Sequence, residues 1–165
     1  MSKKSHGEYT ILGIDPGYAD TGYGVIAMTD RPRYVMCNNI VTSRSKPFGE
    51  RLLEIELAVE KLIREYKPAA IGLEKLFFFR NVTSAIDVAQ ARGIIVLAAA
   101  RHHIPLIEFT PLQVKQSMTG NGIATKQQVA TMVKAILQIN VLPKKDDAID
   151  ALAIALCANS SFRRQ

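Results

Sequence analysis

Residues 9–29 read YTILGIDPGYADTGYGVIAMT, and this stretch decides how the fold begins. Two runs rich in apolar and β-forming residues, 9–15 and 21–29, flank the turn signal Asp15-Pro16-Gly17. A third run of the same kind, RYVMCNNIVTS, follows at 33–43. Because the connections between the runs are short, we predict that the three form an antiparallel meander.

Downstream of the meander, hydrophobic periodicity and turn residues predict alternating helices and strands. The predicted elements are a helix over 48–66, a strand over 69–74, a helix over 82–102, a strand over 105–110, and helices over 111–118, behind Thr125 and from about 145. A strand–helix–strand crossover adds parallel neighbours to the meander. We therefore predict an α/β fold with a mixed five-stranded sheet flanked by helices.

Length and composition indicate one soluble domain. The chain has 165 residues, of which 48% are hydrophobic and 22% charged. We expect a domain over 9–158, a disordered segment over 1–8 and a tail over 159–165. The sequence shows neither a membrane-spanning apolar run nor the apolar core of a secretory signal. Cys37 and Cys157 are predicted to be buried free thiols, which indicates the cytoplasm.

The charge balance is modestly basic. The net charge is +6, from 21 Lys and Arg against 15 Asp and Glu, and the pI is about 9.4. The basic residues are spread along the chain, so the excess permits a polyanionic partner without demanding one.

Carboxylates carry the most informative chemistry. Asp15 ends the first predicted strand, Glu74 ends the strand over 69–74, and DDAID starts the last helix. Taken singly, such residues are usually turn or capping residues, or complement a helix dipole. If the first and fourth strands are neighbours, however, Asp15 and Glu74 converge. Helical geometry alone does not select among Asp146, Asp147 and Asp150, because both earlier residues lie about one turn from Asp150.

Carboxylates that converge without matching cationic side chains repel one another. A divalent metal ion among them makes such a cluster tolerable. Oxygen ligands of this kind select Mg²⁺ or Mn²⁺ rather than zinc. Two such ions clamp both oxygens of an in-line phosphodiester displacement. The acidic pattern therefore favours metal-dependent hydrolysis of phosphodiesters.

Five segments are informative together: ILGIDPGYADTGYGVI, IGLEKLFFFRN, AQARGIIVLAAA, TPLQVKQSMTGNGIATKQQV and DDAIDALAIA. Taken together, they resemble the RuvC family of bacterial Holliday-junction resolvases. The resemblance covers nearly all of residues 9–158. It implies an RNase H-like (retroviral-integrase-like) fold and a homodimeric, Mg²⁺-dependent endonuclease, with two ions per site and Mn²⁺ able to substitute. It also implies four-way junction DNA as the substrate, paired symmetrical nicks in recombination and repair, and RuvA and RuvB as partners.

The resemblance also implies which residues carry the chemistry. The acidic ligands of the family fall on Asp15, Glu74, Asp147 and Asp150, which selects Asp147 over Asp146. We treat these four residues as the predicted catalytic and metal-binding set.

Basic and aromatic residues complete the predicted DNA-binding and catalytic set. Lysines of the family fall on Lys115 and Lys126, near the expected scissile phosphate. A loop phenylalanine falls on Phe77, whose ring could stack on an unpaired base at the junction centre. Arg80 would then contact phosphate. The two intervening phenylalanines, at 78 and 79, stay open between core, dimer interface and DNA.

Two other function classes compete with this interpretation. The segment GIDPGYADTGYG also resembles the first phosphate loop of the actin and sugar-kinase superfamily, but that superfamily normally uses two such domains around a nucleotide. A non-catalytic junction-binding module is the other rival, and the intact acidic set argues against it.

The helix over 82–102 suggests where two copies would meet. Ala85, Ala89 and Val96 are small apolar residues that would allow a close two-fold contact, although packing on the chain's own sheet would use the same residues.

Overall fold

The computed structural model describes residues 8–76, 82–141 and 145–163, with the backbone alone at 82–84. The predictions made for Phe77, Phe78, Phe79 and Arg80 lie outside the described residues. Most of the predicted disordered segment, residues 1–7, also lies outside them.

Five strands and five helices make up the described chain. The strands are β1 (Tyr9–Asp15), β2 (Asp20–Met28), β3 (Pro32–Val41), β4 (Ala70–Glu74) and β5 (Leu106–Phe109). The helices are α1 (Phe48–Tyr66), α2 (Val82–Arg101), α3 (Pro111–Thr119), α4 (Lys126–Leu137) and α5 (Asp146–Phe162). The predicted order of elements is confirmed, with boundaries that differ by one or two residues.

The sheet has the order β3-β2-β1-β4-β5. β1 pairs antiparallel with β2, which in turn pairs antiparallel with β3, so the predicted meander is confirmed. β4 lies parallel to β1 and to β5, as the crossover requires. The register joins Ile14 to Leu73, so that Asp15 and Glu74 follow side by side where β1 and β4 end.

Side-chain alternation divides the core between the two faces of the sheet. Leu12 and Ile14 belong to the apolar cluster that α1 and α2 cover, whereas Ile11 belongs to the cluster under α3, α4 and α5. Asp15 and Glu74 follow Ile11 and Ala70 in the alternation, so both carboxylates stand on the face that α5 covers.

Helix α5 is buried on almost every side. From Ala148 to Asn159 every residue except Asp150 is buried. A helix this apolar belongs in the interior of the fold. The described residues include no helix that is both long and apolar enough to cross a bilayer.

Glycines in the sheet allow α5 to lie directly on the strands. A Cβ at Gly13 would stand 2.1 Å from the carbonyl oxygen of Ala151, and one at Gly22 would stand 2.1 Å from that of Asp147. The glycines of β2 and β4 that pair with Gly13, at 24 and 72, are crowded by α5 in the same way. Gly13, Gly22, Gly24 and Gly72 together form a glycine face on the sheet. This glycine face determines how close the acidic start of α5 comes to Asp15.

The turn after Asp15 is fixed by buried polar contacts. The hydroxyl of the buried Thr21 donates to the carbonyl of Gly17 at 2.5 Å. The guanidinium of the buried Arg51 lies over the Tyr18 ring, 3.5 Å from its centroid, and donates to the Thr42 hydroxyl at 3.0 Å. α1 therefore anchors the loop that leaves the end of β1.

Candidate active site

Three of the predicted acidic residues share one cavity at the end of the sheet. Asp15, Glu74 and Asp150 line a cavity of about 250 Å³ together with Lys115 and Lys126. The α3 and α4 side of the cavity is closed by Pro111, Val114 and Val129. β1, β4 and α5 thus bring together carboxylates that are up to 135 positions apart in the sequence.

The carboxylates carry more negative charge than the cavity neutralises. Burial, reinforced by the charges of Glu74, Asp150 and Asp147, raises the pKa of Asp15 to about 8. Burial and the charge of Asp150 raise the pKa of Glu74 to about 7, although both lysines of the cavity oppose the shift. Carboxyl groups whose pKa values are raised into the neutral pH range by burial and neighbouring charge are characteristic of functional sites.

Two lysines bring positive charge to this cavity from separate helices. Lys126 is the first residue of α4, which Thr125 and Gln128 start with a reciprocal capping box. Its ammonium donates to Oδ2 of Asp150 at 3.0 Å, and this contact raises the pKa of Lys126. Lys115 lines the cavity from α3.

The structure separates the two aspartates at the start of α5. Asp147 is half-buried, and burial together with the charge of Asp20 raises its pKa. Its charge also raises the pKa of Asp15, so it belongs to the same electrostatic cluster. Asp146 is exposed and lies on the Lys126 and Gln127 side of the helix.

Across the described ranges, 8–76, 82–141 and 145–163, no three His, Cys, Asp or Glu side chains already stand in the arrangement of a metal site. The donor set nevertheless fits a divalent ion that prefers oxygen, because the cavity holds three carboxylates and its described lining includes no histidine or cysteine. In this arrangement the Lys126 ammonium supplies the positive charge beside Asp150.

A polar cluster beside Asp147 has no counterpart in the sequence-based prediction. The Asn39 side-chain amide on β3 donates to Oδ1 of Asp20 at 2.5 Å and to Oδ2 of Asp147 at 3.5 Å. Lys145 donates to the other oxygen of Asp20 at 2.6 Å. Only the fold brings these residues together, since they come from β2, β3 and the segment before α5.

The fold and the site together define a class of protein. The class is the RNase H-like nucleases: a mixed sheet of three antiparallel and two parallel strands, with carboxylates meeting where two adjacent parallel strands end.

Comparison with known proteins identifies the family within this class. Residues 11–158 match the family described as crossover junction endodeoxyribonuclease RuvC. The chain is 49% identical over 154 residues to the crossover junction endodeoxyribonuclease RuvC of Ruminiclostridium cellulolyticum, which covers 93% of both chains. It is 47% identical over 160 residues to that of Rubrobacter xylanophilus, covering 96% of this chain and 89% of the relative. The chain belongs to the RuvC family of crossover junction endodeoxyribonucleases.

Solved structures agree with this assignment. The Thermus thermophilus RuvC structure in complex with a Holliday junction substrate superposes with a TM-score of 0.89 at 34% identity, covering 94% of this chain and 96% of that one. The yeast mitochondrial Holliday junction resolvase Ydc2 shares the fold, with a TM-score of 0.66 at 13% identity, covering 89% of this chain and 76% of that one. The predicted family, fold class and enzyme class are confirmed.

Proposed function

We propose that this chain resolves four-way DNA junctions and that the cavity formed by Asp15, Glu74 and Asp150, with Asp147 beside it, hydrolyses the phosphodiester. The observation that carries the proposal is the shared cavity, in which burial, reinforced by mutual repulsion, raises the pKa of two carboxylates. A divalent cation relieves that repulsion directly.

The four carboxylates would hold Mg²⁺, or Mn²⁺ in its place. When bound, two such ions generate a hydroxide nucleophile from water and stabilise the leaving oxygen. The carboxylates would hold the ions at the end of the sheet, where β1 and β4 are paired. The expected products are a 5′-phosphate and a 3′-hydroxyl at each nick.

The two lysines have separate parts in this proposal. Lys126 stands next to the carboxylates and would offset charge that develops on the phosphate. Lys115, from α3, would position the strand by contact with a neighbouring phosphate. Stacking of Phe77 on a base and contact of Arg80 with phosphate stay predictions, as does cooperation with RuvA and RuvB.

The proposal is tested with a labelled synthetic four-way junction in Mg²⁺, with ATP hydrolysis measured in parallel. We expect paired nicks placed symmetrically about the junction and no ATP turnover. ATP hydrolysis without nicking would favour the kinase-like alternative, and tight binding without nicking would favour the non-catalytic module.

Asp147→Asn should be strongly defective in cleavage, whereas Asp146→Asn should be nearly normal. The physical reason is that Asp147 is half-buried within the acidic cluster, while Asp146 is exposed. Single-turnover nicking at saturating protein separates the two variants, and each serves as the matched control for the other. Reversed phenotypes would mean that the ligand is Asp146.

We further propose that the chain dimerises through α1 and α2. Among the side chains that the structure describes on these helices, four large apolar ones are exposed: Leu53, Leu57, Ile86 and Leu97. Arg101 of α2 forms an ion pair with Glu56 of α1, between the two leucines of α1, so these side chains belong to one face. Exposed apolar patches of this kind mark protein interfaces.

Gly93 supports the placement of the dimer interface on this face of α2. A Cβ at this position would meet no atom within 4 Å, so packing inside the chain does not explain a mid-helix glycine that costs about 1 kcal/mol relative to alanine. Close approach of a second helix does explain it. Val96, which the sequence predicted to lie at the contact, is half-buried and packs partly against the core under α1 and α2, so its part in a dimer contact stays a prediction.

Leu97→Glu should convert the dimer to a monomer and abolish paired nicking. A charge at the centre of an apolar two-fold contact meets its own copy and is costly to bury. Sedimentation at micromolar concentration measures the first effect and a junction assay the second. The control is Glu65→Gln, which lies near the C-terminal end of α1. A Leu97→Glu protein that remains dimeric would place the interface elsewhere.

A further inference from the structure

The Asp147 carboxylate accepts a hydrogen bond from a side chain outside the acidic set. Asn39 is half-buried on β3, directly across from Gly22, the glycine on which the backbone of Asp147 rests. Its amide nitrogen reaches Oδ2 of Asp147 at 3.5 Å and Oδ1 of Asp20 at 2.5 Å. One NH₂ group therefore stands between two carboxylates.

Two charged residues hold this amide in place. Asp20 accepts from Asn39 through one oxygen and from the Lys145 ammonium through the other, at 2.6 Å. Lys145 immediately precedes α5, so the contact joins the start of β2 to the start of the helix that carries Asp147. The chain Lys145–Asp20–Asn39 thus ends on a ligand of the proposed site.

The chemistry of an amide suits this position. An amide NH₂ donates two hydrogen bonds and carries no charge, so it orients a carboxylate without neutralising it. A lysine or arginine in the same place would form an ion pair with Asp147 and compete with a metal ion. Mutation of a residue that hydrogen-bonds to a metal ligand typically lowers metal affinity or activity by about 10–100-fold.

We propose that Asn39 is a positioning residue for metal binding: its amide fixes the Asp147 carboxylate, and Asp20 with Lys145 fixes the amide. This inference rests on the proposed function, since it takes Asp147 as a metal ligand. It adds β3, one of the two edge strands of the described sheet, to the elements that shape the active site.

The test compares Asn39→Val and Asn39→Ala with Asn38→Val as the matched control. Valine suits a strand, so the first variant removes the amide while keeping β3 stable. The control changes the neighbouring exposed asparagine, whose side chain alternates to the opposite face and accepts from the backbone N–H of Asn39 at 2.8 Å, so the change leaves the Asn39 amide side chain in place. The first measurement is the rise in Tm that Mg²⁺ or Mn²⁺ produces without DNA, and the second is the Mg²⁺ concentration that half-saturates single-turnover nicking.

We expect both Asn39 variants to show a smaller metal-induced rise in Tm and a half-saturating Mg²⁺ concentration about tenfold higher. Their metal-free Tm should stay close to that of the parent, and Asn38→Val should match the parent in its metal response. An unchanged metal response in the Asn39 variants would overturn the inference, whether or not the metal-free Tm falls.

Asp147→Asn, measured alongside, separates this inference from the proposed function. Loss of the metal response in Asp147→Asn with a normal response in Asn39→Val would overturn only the role of Asn39. A normal metal response in Asp147→Asn would contradict the assignment of Asp147 as a ligand, and the role of Asn39 would fall with it.

Discussion

Asp15→Asn, Glu74→Gln and Asp150→Asn should each abolish cleavage of a four-way junction while leaving junction binding largely intact. Each substitution removes one oxygen-donor charge from the shared cavity, and metal ions contribute several kcal/mol to the transition state of such reactions. A loss of this size lowers the single-turnover rate by about a thousandfold or more. Binding should survive, because loss of a negative charge does not weaken affinity for a polyanion.

Stability measurements show whether such a loss reflects chemistry or unfolding. Folding raises the pKa of Asp15 to about 8, so the ionised carboxylate destabilises the folded protein. This destabilisation is absent below about pH 4 and grows as the pH increases to about 8. An asparagine carries no such cost. Metal-free Asp15→Asn should therefore melt at or above the temperature of the parent, with the largest difference near pH 8. Near-normal nicking by any of the three variants in Mg²⁺ would contradict the assignment of the site.

Gly22→Ala should destabilise the protein severely and impair cleavage further in the molecules that still fold. The added Cβ would stand 2.1 Å from the carbonyl oxygen of Asp147, and backbone atoms cannot move aside by changing rotamer. Overpacking costs about 1–3 kcal/mol when side chains can adjust, so we expect at least about 3 kcal/mol here. For a domain of this size that corresponds to a decrease in Tm of about 6–12 °C.

The matched control for Gly22→Ala is Gly49→Ala. Gly49 lies in the first turn of α1 and is exposed, and a Cβ added there would meet no atom within 4 Å. Alanine at this helical position should leave stability unchanged or raise it by up to about 1 kcal/mol. Thermal melts of both variants measure the difference. Equal melting temperatures would show that α5 does not rest on the glycine face of the sheet.

The order of elements and the convergence of Asp15 with Glu74 could be predicted, because the short connections of the meander and the helical crossovers leave few sheet topologies. The choice between Asp146 and Asp147 could not be derived from helical periodicity. α5 is buried on almost every side, so its sequence has no polar face to indicate which residues point to the sheet. Family resemblance supplied that choice.

The glycine face had a signal that the sequence-based prediction did not use. Gly22 and Gly24 alternate along β2, which leaves one face of that strand without side chains, and strand glycines often mark close approach of another backbone. The contact of Asn39 with Asp147 had no such signal. Its partners come from separate parts of the chain, and a polar residue on an edge strand usually faces solvent.

The most direct test of the proposed metal site is anomalous diffraction from crystals soaked in Mn²⁺, using protein from a batch that nicks junctions in Mn²⁺. We expect anomalous peaks within coordination distance of carboxylate oxygens of Asp15, Glu74 and Asp150. Asp147 should also coordinate manganese while it accepts the hydrogen bond from Asn39. Manganese bound elsewhere on the protein, with these carboxylates unbound in nicking-competent molecules, would contradict the proposal.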